Sequence, residues 1–340
     1  MKAWRRILGC VLALLLAGGC SKSGGDSAPQ EVRIGYFPNV THAQAVLGAS
    51  SGEFAQALAP AKLSAKTFNA GPSLIEALFS KEVDIGYVGP SPALNGFARS
   101  NGEGLRIVAG AAANGVVIVA RKGSGIKSLT DLKGHKLATP QIANTQDVSA
   151  KHYLTSVLGQ ADTTNVLPIA NAEQAGMMRR GDIDAAWTPE PWGARLVAEA
   201  DAEIIGEEKD LWPDKQFTLT VIVTTPEYLA RHPEVIEKVL RVHRQWTARL
   251  QQDSAKYEKQ LGDALFAINH TRLPEGVLPA ALGRVQFTDE PLEQTLKTYA
   301  QWAYELKMTR DRPALDGLVD AGILRKLQAE KTSAAPGGKQ

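Results

Sequence analysis

Five times in this chain an apolar run of strand length ends at a proline set beside Ser, Thr, Asn or Gln, and a helical pattern follows. The five are Pro38-Asn39, Pro72-Ser73, Pro90-Ser91-Pro92, Thr139-Pro140-Gln141 and Thr188-Pro189. Proline fixes φ near the helical value and lacks an N–H, so it is tolerated at the first helical position. A short polar side chain beside it accepts from the free donors of the helix end. The clearest copy runs from Asp84 to Asn95: a short apolar strand, a glycine turn at Gly89, Ser91 as the expected cap and Pro92 as the expected first helical residue. Strands alternating with helices in this way predict an α/β fold of doubly wound sheets, each helix starting at the carboxyl end of a strand.

The alternation occurs twice. Strands are predicted at 31–37, 63–68, 84–88 and 105–109, with helices after the first three. A strand at 115–120 leaves this unit, and the pattern restarts with strands at 136–138, 166–169 and 183–187, each leading into a helix. Residues 218–224 form a long β-branched strand well placed to return the chain. From Pro226 onward the pattern is helical, at 233–250, 257–268, 292–306 and 315–327. The domain reading is lobe 1 at 31–114 plus 225–330, lobe 2 at 115–224 inserted into it, and a polar tail at 331–340. The chain crosses between lobes twice, near Ala113–Gly115 and near Val223–Pro226. Two crossings make a hinge around an interlobe cleft, and a ligand in the cleft is enclosed when the hinge closes. Open α/β sheets bind ligands at the edge where these helices begin.

The N-terminus carries a separate message. Lys2, Arg5 and Arg6 precede an apolar run from Ile7 to Ala17, and Gly18-Gly19-Cys20 follows, which is the order of an export signal. The run is too short to span a bilayer as a mature helix. Leu16-Ala17-Gly18-Gly19-Cys20 resembles a bacterial lipobox, with Ala17 where leucine is more usual. In that reading residues 1–19 are removed, Cys20 is lipidated, and 20–30 form a flexible tether to the membrane. An ordinary secretory signal cut nearby, leaving a free thiol, is the alternative. Cys10 leaves with the signal, so one cysteine remains, and neither an internal disulfide nor a cysteine metal site is possible. Loss of the three cations takes the formal charge of +2 to about −1, which gives no basic surface for nucleic acid.

The donors at the junctions are mostly neutral: Asn39, Thr41, His42, Ser73, Ser91, Asn144, Thr145 and Gln146, with no Arg or Lys inside the turns. Neutral dipoles and helix ends hold a monoanion without the strong attraction of a guanidinium pair, which favours release as well as capture. Capping alone is the plainer account of each junction, and His42 is equally placed to be a solvent-facing first-turn residue. Trp187 and Trp192 are positioned either to wall the cleft or to pack in the core. Glu190 and Asp147 fit first-turn acids that complement the helix dipole; facing the cleft, they would call for a ligand with an amine. Catalytic signals are poor. Gly48-Ala49-Ser50-Ser51-Gly52 matches a nucleophile elbow by letter but falls where a helix ends. The six histidines show no metal spacing, and there is no dinucleotide fingerprint or P-loop, so no cofactor is expected.

Arg33 to Ala43 (RIGYFPNVTHA), Phe68 to Ser73 (FNAGPS), Asp84 to Ser91 (DIGYVGPS), and Asp131 to Gly134 (DLKG) with Lys136 to Pro140 (KLATP) together resemble a known group. They are similar to solute-binding proteins of ABC importers of the nitrate, sulfonate and taurine type. The resemblance runs over roughly Val32 to Trp192. It implies a type II periplasmic-binding fold, a small anionic solute in the interlobe cleft, and delivery to an ABC permease and its ATPase by a monomeric, non-enzymatic protein outside the cytoplasm. By the same resemblance Asn39, Thr41, His42, Ser73, Ser91, Thr145 and Trp187 are ligand contacts, with Gly89, Asn144, Gln146 and Glu190 as further candidates. Two other readings share the fold: a lipid-anchored ligand sensor, and enzymes of pyrimidine-precursor and quinone biosynthesis, which need no export signal.

Overall fold

The computed structural model describes residues 29–310, 312 and 314–333. The export signal, Cys20 and the tether up to residue 28 lie outside the described residues, as does the tail beyond Ser333.

Two sheets carry the fold. The first holds β1 (Glu31–Tyr36), β2 (Lys62–Thr67), β3 (Ile85–Val88), β4 (Arg106–Asn114), β10 (Thr218–Thr224) and β11 (Val285–Phe287), in the order β11-β4-β10-β3-β1-β2. The second holds β5 (Val116–Arg121), β6 (Leu137–Thr139), β7 (Val166–Pro168), β8 (Ala185–Pro189) and β9 (Ala202–Glu207), in the order β7-β6-β8-β5-β9. β1 pairs parallel with β2 and β3, and β6 pairs parallel with β7 and β8, so the ligand-side helices all start at the same edge of their sheets. The edge strand β2, KLSAKT, is half exposed and carries two lysines, a composition that discourages pairing with another chain.

β10 corrects the lobe boundary read from sequence. It lies inside the first sheet, antiparallel to both β3 and β4, and all seven of its residues are buried. Its continuous run of Thr, Leu, Val and Ile is what a strand covered on both faces requires, and Val221, Ile222 and Val223 each contribute roughly 1.5–3 kcal/mol by burial. The return crossing therefore falls between β9 and β10, in two short 3-10 turns at Glu208–Leu211 and Pro213–Lys215, rather than at Val223–Pro226.

The outward crossing is a single tight step. Asn114 (φ 60°) and Gly115 (φ 78°) both adopt the left-handed conformation between β4 and β5. A Cβ on Gly115 would stand 2.6 Å from Val285 Cγ2, so only glycine fits this side of the hinge.

The C-terminal third is helical, as read, with one displacement. The helices Pro233–Asp253, Glu258–Asn269 and Glu293–Glu305 are present, but the last runs from Gly322 to Ser333 instead of 315–327. Residues 316–318 before it form a turn, after which Val319 bridges Ile107 in parallel, and the Ile107 N–H donates to the Leu318 carbonyl at 2.7 Å. A core cluster runs through both lobes, taking Leu74, Val88 and Phe97 from the first and Ile118, Leu137 and Trp187 from the second.

Candidate functional site

Where the two sheet edges face each other, the segments following five strands meet. The turn after β1 brings Asn39, Thr41 and His42, and the turn after β2 brings Asn69. Gly89 follows β3, Asn144, Thr145 and Gln146 follow β6, and Asn171 follows β7. Phe37, Pro189 at the end of β8, and Leu219 and Thr220 of β10 complete the wall of one small cavity. Its volume is about 20 Å³, between one and two waters' worth of room.

Four helices of eight residues or more begin on this cavity: Gly71–Phe79, Pro90–Arg99, Thr145–His152 and Asn171–Arg180. The side-chain caps expected from sequence are mostly missing. Only Asn144 caps, accepting from the Thr145 N–H at 2.9 Å; the other three helices have no side-chain cap. Ser91 is not a cap, because the helix starts two residues earlier than expected, with Pro90 at its first position and Gly89 extended before it. Capping alone thus does not account for the pattern, and the uncapped ends leave backbone donors and positive dipole ends facing one point.

Side chains on the wall repeat that polarity. His42 Nε2, Thr145 Oγ1 and Thr220 Oγ1 are buried with no hydrogen-bond partner of normal geometry, and so is Ser91 Oγ in the adjoining helix turn. Groups of this kind are rare in folded proteins and need an explanation. Burial lowers the pKa of His42 to about 3, against a weaker opposing pull from the Tyr87 backbone, so the imidazole is neutral at ordinary pH. Its Nδ1 lies 3.1 Å from Thr41 Oγ1, and its ring packs on Phe37. It is buried, not solvent-facing.

The lobes touch around the cavity. Trp192 Nε1 donates to Asn39 Oδ1 across the cleft at 2.8 Å, and a Cβ placed on Gly89 would come 2.5 Å from Thr145 Oγ1. Arg284, just before β11, donates to Glu190 Oε1 at 2.9 Å. Glu190 Oε2 also accepts from the Ala194 N–H at 3.0 Å, and burial raises its pKa against these stabilising partners.

Seven predicted contacts line the cavity: Asn39, Thr41, His42, Gly89, Asn144, Thr145 and Gln146. Four do not. Ser73 is exposed, three residues into its helix, and makes no cap. Ser91 is buried beside the wall rather than on it. Trp187 is a core residue, fully buried, donating Nε1 to Glu208 at 2.6 Å; the indole that reaches the site is Trp192. Glu190 is committed to Arg284 and Ala194. Asn69, Asn171 and Thr220 were not read as contacts. The first two stand at junctions of the same kind as the others, while Thr220 carries no local signal because it arrives on a strand from the far side of the second lobe.

Among the described residues no helix is long and apolar enough to cross a membrane, and no group of three or more His, Cys, Asp or Glu could hold a metal.

A family model described as the NMT1-like family matches residues 25–260. A relative from Escherichia coli (strain K12) named for binding aliphatic sulfonates is 28% identical over 213 residues, covering 61% of this chain and 64% of its own length. The taurine-binding periplasmic protein of the same organism is 28% identical over 176 residues, 51% of this chain and 52% of its own length. The chain thus matches between half and two thirds of the length of these relatives. The structure of the alkanesulfonate-binding protein SsuA from Xanthomonas axonopodis pv. citri bound to MOPS superposes with a TM-score of 0.71, over 86% of this chain and 99% of that one, at 22% identity. The periplasmic-binding fold implied by the sequence motifs is the fold observed, and the chain belongs to the NMT1-like family.

Proposed function

We propose that this protein is the extracytoplasmic solute-binding component of an ABC importer, capturing a small anion of the sulfonate, nitrate or taurine class in the interlobe cleft. The observation that carries this reading is the convergence of four helix N-termini on a cavity whose buried hydroxyls and imidazole lack partners. An anion there accepts from all of them at once, and neutral donors hold it firmly enough to bind and loosely enough to release.

The mechanism is binding without chemistry. Solute enters the open cleft, and the lobes close until Trp192 meets Asn39. The solute shifts the open–closed population by its extra affinity for the closed form. The closed monomer then docks on a permease driven by its ATPase, held near the membrane by lipid on Cys20. The names of the sulfonate- and taurine-binding relatives support this assignment. A catalytic role on the same fold would need a nucleophile with an oriented base. Thr41 and His42 make the nearest such contact, and no acid stands behind the imidazole.

Calorimetric titration with nitrate, alkanesulfonates and taurine tests the reading. Binding at about micromolar affinity or tighter, lost in Thr145→Ala and Thr220→Val, is expected. Silence across the panel would overturn it. Uptake of the same anion in cells lacking the gene tests delivery.

A further inference from the structure

Resting on the anion-binding reading, we infer that the solute this cleft selects carries a single negative charge and no ammonium group, so that a simple alkanesulfonate or nitrate fits and a zwitterionic aminosulfonate or a dianion does not.

The wall has no charge to offer either kind of extra group. None of its described residues is acidic or basic, and His42 is neutral. Two carboxylates stand next to the wall in sequence, and both are engaged within the protein. Asp147 accepts from the Ala143 N–H at 2.9 Å, from Lys151 Nζ at 3.0 Å and from Thr139 Oγ1 at 3.3 Å. Glu190 is held by the Ala194 N–H and Arg284. The two nearby cations, Lys151 and Arg284, are occupied by the same pairs and leave no counter-charge for a second anionic oxygen.

Three of the amide oxygens on the wall are also engaged. Asn39 Oδ1 accepts from Trp192 Nε1, Asn144 Oδ1 from the Thr145 N–H, and Asn171 Oδ1 from Thr188 Oγ1 at 3.1 Å. With one lone pair of each oxygen engaged, the N–H₂ groups are the main offer of these three amides to a guest. The uncapped helix ends add further donors, and the unpaired Thr145 and Thr220 hydroxyls are free to donate as well. The site is therefore rich in donors, and every acceptor on its wall is neutral. A sulfonate or nitrate accepts everywhere it touches, whereas an ammonium would be enclosed with no carboxylate free to offset its charge. A dianion would bring a second charge that neutral donors compensate poorly. At about 20 Å³ the cavity leaves little room for water beside a bound head group.

The test compares ethanesulfonate with taurine, which differ by one ammonium, and nitrate with sulfate, by calorimetry on the purified protein. Ethanesulfonate and nitrate are expected to bind, taurine on the order of a hundredfold more weakly near neutral pH, and sulfate more weakly than nitrate. Taurine affinity should rise with pH as its ammonium deprotonates, while ethanesulfonate affinity stays level. Taurine within about threefold of ethanesulfonate, or sulfate tighter than nitrate, overturns this inference and leaves the anion-binding reading standing. Failure of every anion to bind overturns that reading, and the inference with it.

Discussion

The hydroxyl of Tyr299 donates to Glu208 Oε1 at 3.2 Å, joining the helix Glu293–Glu305 to the return crossing between the lobes. Glu208 is buried, and its other donors are Ser149 Oγ at 2.6 Å, Trp187 Nε1 at 2.6 Å and Trp212 Nε1 at 3.3 Å. Burial raises its pKa, and the four donors hold it down in part. Ser149 lies one turn beyond Thr145 and Gln146, so this carboxylate ties the helix that lines the cavity to the hinge. The two bonds within the second lobe are short, and those to Trp212 and Tyr299 are long.

Tyr299→Phe removes the one bond of this set that reaches from the helix Glu293–Glu305, without leaving a cavity. Losing a hydrogen bond to a buried carboxylate costs about 1–2 kcal/mol. Denaturant unfolding should show that loss, and calorimetry a several-fold weaker affinity for the bound anion. Trp212 lies against Tyr299 and Trp302, with ring centroids 4.8 and 4.6 Å apart, so intrinsic fluorescence should follow closure. Lower stability with unchanged affinity would show that the bond supports the fold alone.

Gly89→Ala should separate binding from stability. Its backbone has φ −68°, which alanine adopts freely, so the open protein should tolerate the methyl. In the closed form the new Cβ would press on Thr145 Oγ1. The expected outcome is little change in melting and on the order of a tenfold loss of affinity. Small-angle scattering with ligand present should show incomplete closure; full closure with normal affinity would mean that Thr145 yields.

Trp192→Phe keeps an aromatic ring next to Asn39 and deletes the donor to it. That bond ties the second lobe to a residue of the cavity wall across the cleft, so its loss should act on release more than on capture. Stopped-flow measurement should give a several-fold faster dissociation rate and a nearly unchanged association rate. A fall in the association rate alone would mean that the indole guides entry instead of holding the cleft shut.

The junctions were legible because their chemistry is local. Proline, glycine and short polar residues announce a strand-to-helix turn from five or six letters, and those turns supplied most of the wall. What failed depended on partners remote in sequence. Ser91 has the composition of a cap, but Pro90 fits the first helical position equally well and moved the helix start by two residues. Trp187 and Trp192 are five residues apart in similar surroundings; only the fold, by placing Glu208 beside one and Asn39 beside the other, separates core from cleft. The assignment of β10 to the first sheet, and with it Thr220 to the site, depends on pairing with β3 and β4, separated from it by the whole second lobe. Arg284, which engages Glu190, sits in the helical third where no motif marks it.

The buried histidines give a pH dependence with a definite sign. Burial lowers His42 to about 3 and His243, under Tyr87, to about 4. An unfolded histidine titrates near 6.5, so between that pH and the folded values the unfolded chain binds more protons than the native one. Stability from each is complete above about pH 6.5 and declines as the pH falls, by about 1.4 kcal/mol per pH unit per histidine. Glu190 and Glu208 act oppositely. Burial raises their folded pKa values above the unfolded ones, so they add stability as the pH falls through those values. The net slope mixes both signs, and a variant isolates the histidine part. In His42→Gln the neutral amide cannot be protonated, so its stability should fall less steeply than that of the native protein between about pH 6 and about pH 5, by roughly one proton's worth. Denaturant titrations of both proteins across that range measure the difference. Parallel slopes would mean that His42 takes up its proton in the folded state, and the cleft would then hold a cation after all.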